Sequence, residues 1–140
     1  MAGGRIQVKS FWLPGLAILL CGFMLLEAGR QFGNDIRFSA VQAELGFRGR
    51  ESYQPSSSTI KETTAAIDTL LAMRPHHPDY LAARANDLAW QAYWSTRRSD
   101  AAALLQQAVA SQTLAVAARP ARPQDRRKLL EYQQLAKQVQ

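Results

Sequence analysis

TIKETTAAIDTLLAM, RPHHP and DYLAARANDLAWQAYW follow one another over residues 59–94, and how this stretch is read decides the fold. On either side of the central five residues, apolar positions recur at three and four. Ile60, Thr63, Ile67 and Leu70 or Leu71 lie before it, and Leu81, Ala85, Leu88 and Ala92 after it, with Trp90 and Trp94 beside the second stripe. Thr59, followed three residues later by Glu62, forms a capping box and predicts where the first helix starts. Pro75 and Pro78 cannot both lie inside one unbroken helix, because each lacks a donor and its ring clashes with the preceding turn. The stretch therefore predicts two helices joined by a tight turn, the second being the core helix.

Further along, Leu104, Leu105, Ala108, Val109, Gln112 and Val116 trace a third helix that Ser99 or Asp100 can cap. Arg119-Pro120-Ala121-Arg122-Pro123 ends it, and a last helix from about Gln124 carries Leu129, Leu130, Tyr132, Leu135 and Ala136. Arg-Pro-x-x-Pro thus occurs twice, 45 residues apart, each time ending one helix and opening another. Such an echo points to a degenerate helical repeat, and Ala108, Ala115 and Pro120 stand at tetratricopeptide-like spacings. β-Branched residues are sparse beyond residue 70, which argues against a sheet. The expected fold is all-α: one N-terminal transmembrane helix plus a soluble TPR-like helical-hairpin domain.

Towards the N-terminus, FWLPGLAILLCGFMLL (11–26) contains no charge and is bracketed by Arg5 and Lys9 before it and Glu27 and Arg30 after it. As a helix it rises roughly 24 Å, so flanking residues and a snorkelling Lys9 must help it cross a bilayer core of about 30 Å. Trp12 is expected at headgroup level, and Pro14 is tolerable in a first turn. The exit LLEAGRQ lacks the small residues of a signal-peptidase site, and Leu19 and Leu20 before Cys21 exclude lipoprotein processing, so the reading is a retained anchor. A short basic head ahead of it favours an inside N-terminus and an outside domain. The expected organisation is a head at 1–10, the membrane helix at 11–28, a juxtamembrane helix and polar linker at 29–58, and the helical domain at 59–140. Phe32, Ile36, Ala40 and Ala43 share one helical face in the juxtamembrane part, while Gly29 and Gly33 leave its continuity with the membrane helix open.

The formal charge is +6, and residues 119–140 carry six Lys or Arg against Asp125 and Glu131. Arg126, Arg127 and Lys128 at the last helix start are therefore a candidate contact for an anionic partner, since the helix dipole disfavours cations there. Binding of an acidic polymer or nucleic acid would be strongly salt-dependent, and nucleic acid is the disfavoured option. Trp90, Tyr93 and Trp94 could form a carbohydrate- or peptide-stacking platform, although this spacing is commoner in packing. Asp68 and Asp87 are expected on solvated faces, with Arg84 and Arg97 as possible partners. Adjacent His76 and His77 lack further ligands at metal-site spacing, and no phosphate loop, nucleophile elbow or Cys/His array occurs. The lone cysteine, Cys21, excludes an intramolecular disulfide. The expectation is a non-enzymatic protein with no cofactor, metal or small-molecule substrate, whose partners are a membrane and other membrane-complex proteins.

The segments AIDTLLAMRPHHPDY (66–80), LAWQA (88–92) and AVAARPARP (115–123), set behind a basic head and one membrane helix, resemble small membrane-anchored, TPR-like polysaccharide-biosynthesis proteins of the VpsP type. Those proteins carry an aromatic after the second proline pair, where this chain has Gln124 and Asp125. The resemblance implies an accessory scaffold of an exopolysaccharide synthesis or export machine in a bacterial inner membrane, its soluble domain periplasmic. The alternative is an assembly subunit of a secretion, pilus or division complex in the same membrane, pairing through its N-terminal helix.

Overall fold

A computed structural model describes residues 12–139. Arg5, Lys9, Ser10 and Phe11, assigned above to the head and start of the membrane segment, lie outside the described residues, as does the side chain of Trp12. Among the described residues there are five helices and no strand: α1 Trp12–Phe47, α2 Ser57–Met73, α3 Pro78–Trp94, α4 Arg98–Ala118 and α5 Pro123–Val139. The chain divides into two compact units, one up to Asp35 and one from Ile36 to Gln140, and α1 contributes to both.

In the first unit α1 is apolar all round up to Leu26, beyond which Glu27 and Arg30 follow. Leu16, Ile18, Leu19, Leu20, Phe23, Met24, Leu25 and Leu26 are each more than half exposed, from 56% for Leu20 to 74% for Leu19 and Leu25. A helix with no polar face has no orientation that suits water, and this one is long and apolar enough to cross a membrane. It passes unbroken through Gly29 and Gly33, which settles the continuity that the sequence left open.

In the second unit, 36–47 of α1 is an ordinary amphipathic segment, but its buried stripe is not the one expected. Val41, Leu45 and Arg48 are buried, with Phe38 packed beside them, whereas Ile36 is 55% exposed. Phe32, in the first unit, is exposed as well. The two stripes differ by about half a helical turn, and the one carrying the β-branched Val41 and the long Leu45 is the one that meets α2 and α3. Residues 36–47, expected to be a juxtamembrane helix, are thus part of the helical core, and Arg48, assigned above to a polar linker, is among its most enclosed residues.

α2 begins three residues earlier than the capping box predicts. Ser56 is the cap, its Oγ accepting from the Thr59 amide at 3.1 Å, so Thr59 already lies inside the helix. α4 likewise starts before Ser99; Arg97 occupies its cap position with no side-chain hydrogen bond. The expected stripes of α2 and α3 are buried as read, at Thr63, Ile67 and Leu70 and at Leu81, Ala85, Leu88 and Ala92. α3 is the central helix. On one side Ala83 joins Val41, Leu45 and Ile67; on the other Ala85 and Leu88 meet Ala108 and Tyr132, and Ala92 meets Ala101, Leu105 and Ala136. Ala85 and Ala108 have no exposed surface, and their small side chains let α3 and α4 approach closely. In α5, Tyr132 and Ala136 are inside, while Leu130 and Leu135 remain exposed, at 59% and 38%.

The two Arg-Pro-x-x-Pro segments form the same turn. Arg74 and Arg119 close α2 and α4 with φ, ψ of −138°, 79° and −141°, 64°. The Arg74 amide donates to the Leu70 carbonyl and the Arg119 amide to that of Ala115, at 3.0 and 3.1 Å. The His77 and Arg122 amides then donate to the Arg74 and Arg119 carbonyls at 3.1 and 3.2 Å. Pro78 and Pro123 open the next helices, where a missing donor is harmless. α4 also has the length and composition of a membrane span, but it packs between α3 and α5 and buries Gln112 along with Ala101, Leu105, Ala108 and Ala115, the pattern of a core helix.

Candidate functional site

The turn after α1 carries Arg48 under α3, where its Nη1 donates to Asp87 Oδ1 at 2.6 Å and its Nε to Glu44 Oε1 at 3.2 Å. Neither the Arg48 nor the Asp87 side chain has any exposed surface. Asp87 is therefore not on a solvated face, and Arg97 pairs instead with Asp100 at 3.2 Å. The second Asp87 oxygen accepts from Thr64 Oγ1 and Gln91 Nε2, each at 2.8 Å. Tyr53 donates to the free Glu44 oxygen, and giving up that proton beside a carboxylate is unfavourable, which raises its pKa. The network binds α1, α2, α3 and the following turn through hydrogen bonds that each satisfy a buried group. The Arg48 Nη2, enclosed and without a hydrogen-bond partner, is the exception.

Above this pair lie the aromatic residues. The Arg48 guanidinium is 5.5 Å from the centre of the Trp94 ring. Trp94 stacks on Trp90 at 5.5 Å and 26°, and Tyr93 meets Trp90 edge-on at 5.7 Å. Trp90 and Trp94 are half-buried, whereas Tyr93 is 77% exposed. These rings face Lys128, Glu131, Tyr132 and Leu135 of α5 and the 45–54 turn across a hollow of about 680 Å³. A volume of this size lies within the usual range for ligand pockets. Tyr132 is buried against α3 and α4, and loss of its hydration pushes its phenol well above the ordinary tyrosine range, with Glu131 adding to the shift.

A second hollow of about 320 Å³ shares Leu45, Gly46, Asn86, Lys128 and Tyr132 with the first, so the two form one groove along α3. Its far end is an ion-pair cluster. Arg119 reaches Asp79 at 2.7 Å and Asp125 at 3.1 Å, and Arg122 reaches Asp79 at 3.2 Å. Partial desolvation opposes the charge on Arg119, but the two carboxylates outweigh it and raise its pKa. Gln112 donates to the Asp125 carbonyl at 3.0 Å beneath this end.

Of the six candidate residues, the groove collects Trp90, Tyr93, Trp94 and Lys128; Arg126 and Arg127 are exposed and outside its lining. Lys128 is paired with Glu131 at 2.8 Å and lies 5.9 Å from the Tyr132 ring. Asp68 does pair with Arg84 near the surface, at 2.6 Å. His77 stacks on Tyr80 at 4.1 Å, and among the described residues no His, Cys, Asp or Glu group of three or more could hold a metal. The sequence reading missed Arg48 and Tyr132 as groove residues and Asp87 as the buried partner of Arg48. The signal lay in two stripes that end in polar residues: Phe38, Val41, Leu45, Arg48 and Tyr80, Ala83, Asp87, Gln91.

Comparison with protein-family models, with curated proteins and with solved structures gives no match, so what the groove does is argued from its own residues.

Proposed function

We propose that this chain is a non-enzymatic, membrane-anchored scaffold of a bacterial exopolysaccharide synthesis or export machine, held in the inner membrane by α1 with a TPR-like domain in the periplasm. The observation that carries the reading is the repeated Arg-Pro-x-x-Pro hairpin, whose stacked helices leave a groove between the 45–54 turn and α5. Stacked helical hairpins use such concave faces to hold partners, with binding supplied by shape and a few anchors and no catalytic group required. The glycan context comes from the resemblance of 66–80, 88–92 and 115–123 to the VpsP type.

Crosslinking in intact cells, purification through the C-terminal helix and mass spectrometry of the captured proteins tests this. Recovery of glycosyltransferase, polymerase or polysaccharide-export proteins, with reduced secreted polysaccharide on deletion, is expected. Recovery of secretion, pilus or division components with unchanged polysaccharide would replace it with the assembly-subunit reading.

A further inference from the structure

We propose that the groove beside Trp90 and Trp94 binds a neutral, hydroxyl-rich glycan chain directly. The proposal rests on the reading of this chain as part of a polysaccharide machine and gives that machine's polymer a seat on the scaffold itself.

Three observations carry it. The lining is aromatic rather than aliphatic: Tyr53, Trp90, Tyr93, Trp94 and Tyr132 outnumber Leu45 and Leu135 as large apolar groups. A groove for an amphipathic peptide helix presents aliphatic sockets for anchors at i, i+3 and i+7. Indole and phenol rings instead combine an apolar face with a polar edge, which matches the C–H faces and hydroxyl edges of a pyranose. Charge is the second observation. Arg48 is matched by Glu44 and Asp87, Lys128 by Glu131, and Arg119 and Arg122 by Asp79 and Asp125. Arg50 is drawn onto the Phe47 ring, 4.6 Å from its centre. A groove in which all of these cations but Arg50 are paired with carboxylates offers little to a polyanion, whose capture depends on bare positive charge. The third is exposure: the Tyr93 ring lines the groove and is 77% exposed, an open aromatic face on which a sugar ring can stack.

The test is tryptophan fluorescence of the full chain in detergent micelles, titrated with hexaoses of glucose, mannose, galactose and N-acetylglucosamine, with a hexauronate and a mixed peptide library as comparisons. A saturable shift with at least one neutral hexaose is expected. Tyr93→Ala, which removes an exposed ring without touching the core, should weaken that binding about tenfold, equivalent to about 1.4 kcal/mol. Arg126→Ala with Arg127→Ala, outside the groove, should leave it unchanged. No shift with any neutral hexaose at millimolar concentration, tighter binding of the hexauronate or of a peptide, or a Tyr93→Ala variant that binds normally would each overturn the proposal. Because the titration needs no partner protein, loss of glycan binding with polysaccharide proteins still crosslinked would refute this inference alone. Glycan binding without such crosslinks would refute only the proposed machine.

Discussion

The hairpins α2–α3 and α4–α5 share one turn, with matching closing arginines and matching amide bonds, yet they are held closed by different chemistry. Between α2 and α3 the interior carries charge: Asp87 accepts from Thr64 of α2 and from Arg48, with nothing of either ionic side chain exposed. Between α4 and α5 the polar contact in the interior is neutral, Gln112 to the Asp125 carbonyl, charge enters only at the turn through Arg119 and Asp125, and alanines and Tyr132 supply the rest. The turn is thus a local device set by proline and a helix-closing arginine, and it tolerates either interior. The strength of each hairpin lies in its side chains.

That difference predicts unequal costs. Asp87→Ala leaves the Arg48 guanidinium buried with only Glu44, and should destabilise the domain by about 3–5 kcal/mol. Gln112→Leu strands one carbonyl and should cost about 1–3 kcal/mol. Denaturant unfolding of the full chain in micelles, followed by tryptophan emission, measures both. Arg48→Met combined with Asp87→Leu removes the charges together and should recover much of the loss, because the desolvation penalty of the pair disappears with it. Equal costs for Asp87→Ala and Gln112→Leu would show that the two interiors are energetically alike.

The pattern of hits and misses in the sequence follows the same division between local and non-local effects. The stripes of α2 and α3 were legible because Leu, Ile and Ala recur at 3.6 residues whatever they pack against, and the turns because proline acts on its own neighbours. Asp87 read as a solvated residue because its partner stands 39 positions away, and a carboxylate at a core position is paired only in three dimensions. The run Ser56 to Thr59 offers four adjacent hydroxyl caps, and the choice among them depends on where Thr63 and Ile67 must point. The candidate site was half visible. Trp90, Tyr93 and Trp94 share one helix and announce themselves by spacing, whereas the opposing wall, of which only Lys128 was a candidate, comes from a helix whose approach no local pattern encodes.

Alkaline titration sharpens the comparison at the groove walls. Tyr53 stands by the first hairpin and Tyr132 in the second, and both phenols are raised above their ordinary value of 10.0, the first by its hydrogen bond to Glu44, the second by burial. A raised folded-state value means the fold favours the protonated phenol. Stability from these groups is therefore complete below pH 10 and falls as pH rises through their folded-state values. Absorbance of the phenolate should show two tyrosines ionising late, and Glu44→Gln should return one of them to ordinary behaviour while leaving Tyr132 untouched. If Glu44→Gln changes nothing, the Tyr53 hydrogen bond is not what holds that turn.

The smallest expected effect concerns the two arginines that close α2 and α4. Arg74 is exposed, whereas Arg119, at the same place in the second turn, bridges Asp79 at the start of α3 and Asp125 at the start of α5. Arg119 thereby ties the second turn to the helix that the first turn opens, a connection with no counterpart at Arg74. Its side chain is 28% exposed and Asp79 33%, so water screens that pair to at most about 1 kcal/mol, whereas the Asp125 carboxylate, 8% exposed, is less screened. Arg119→Ala should lower stability by about 1–2 kcal/mol at low salt and by less at high salt, where the charges are screened. Arg74→Ala should stay within about 0.5 kcal/mol at either ionic strength. A matching loss at both positions, insensitive to salt, would mean that the arginines act through backbone closure, and the two hairpins would then differ only in their interiors.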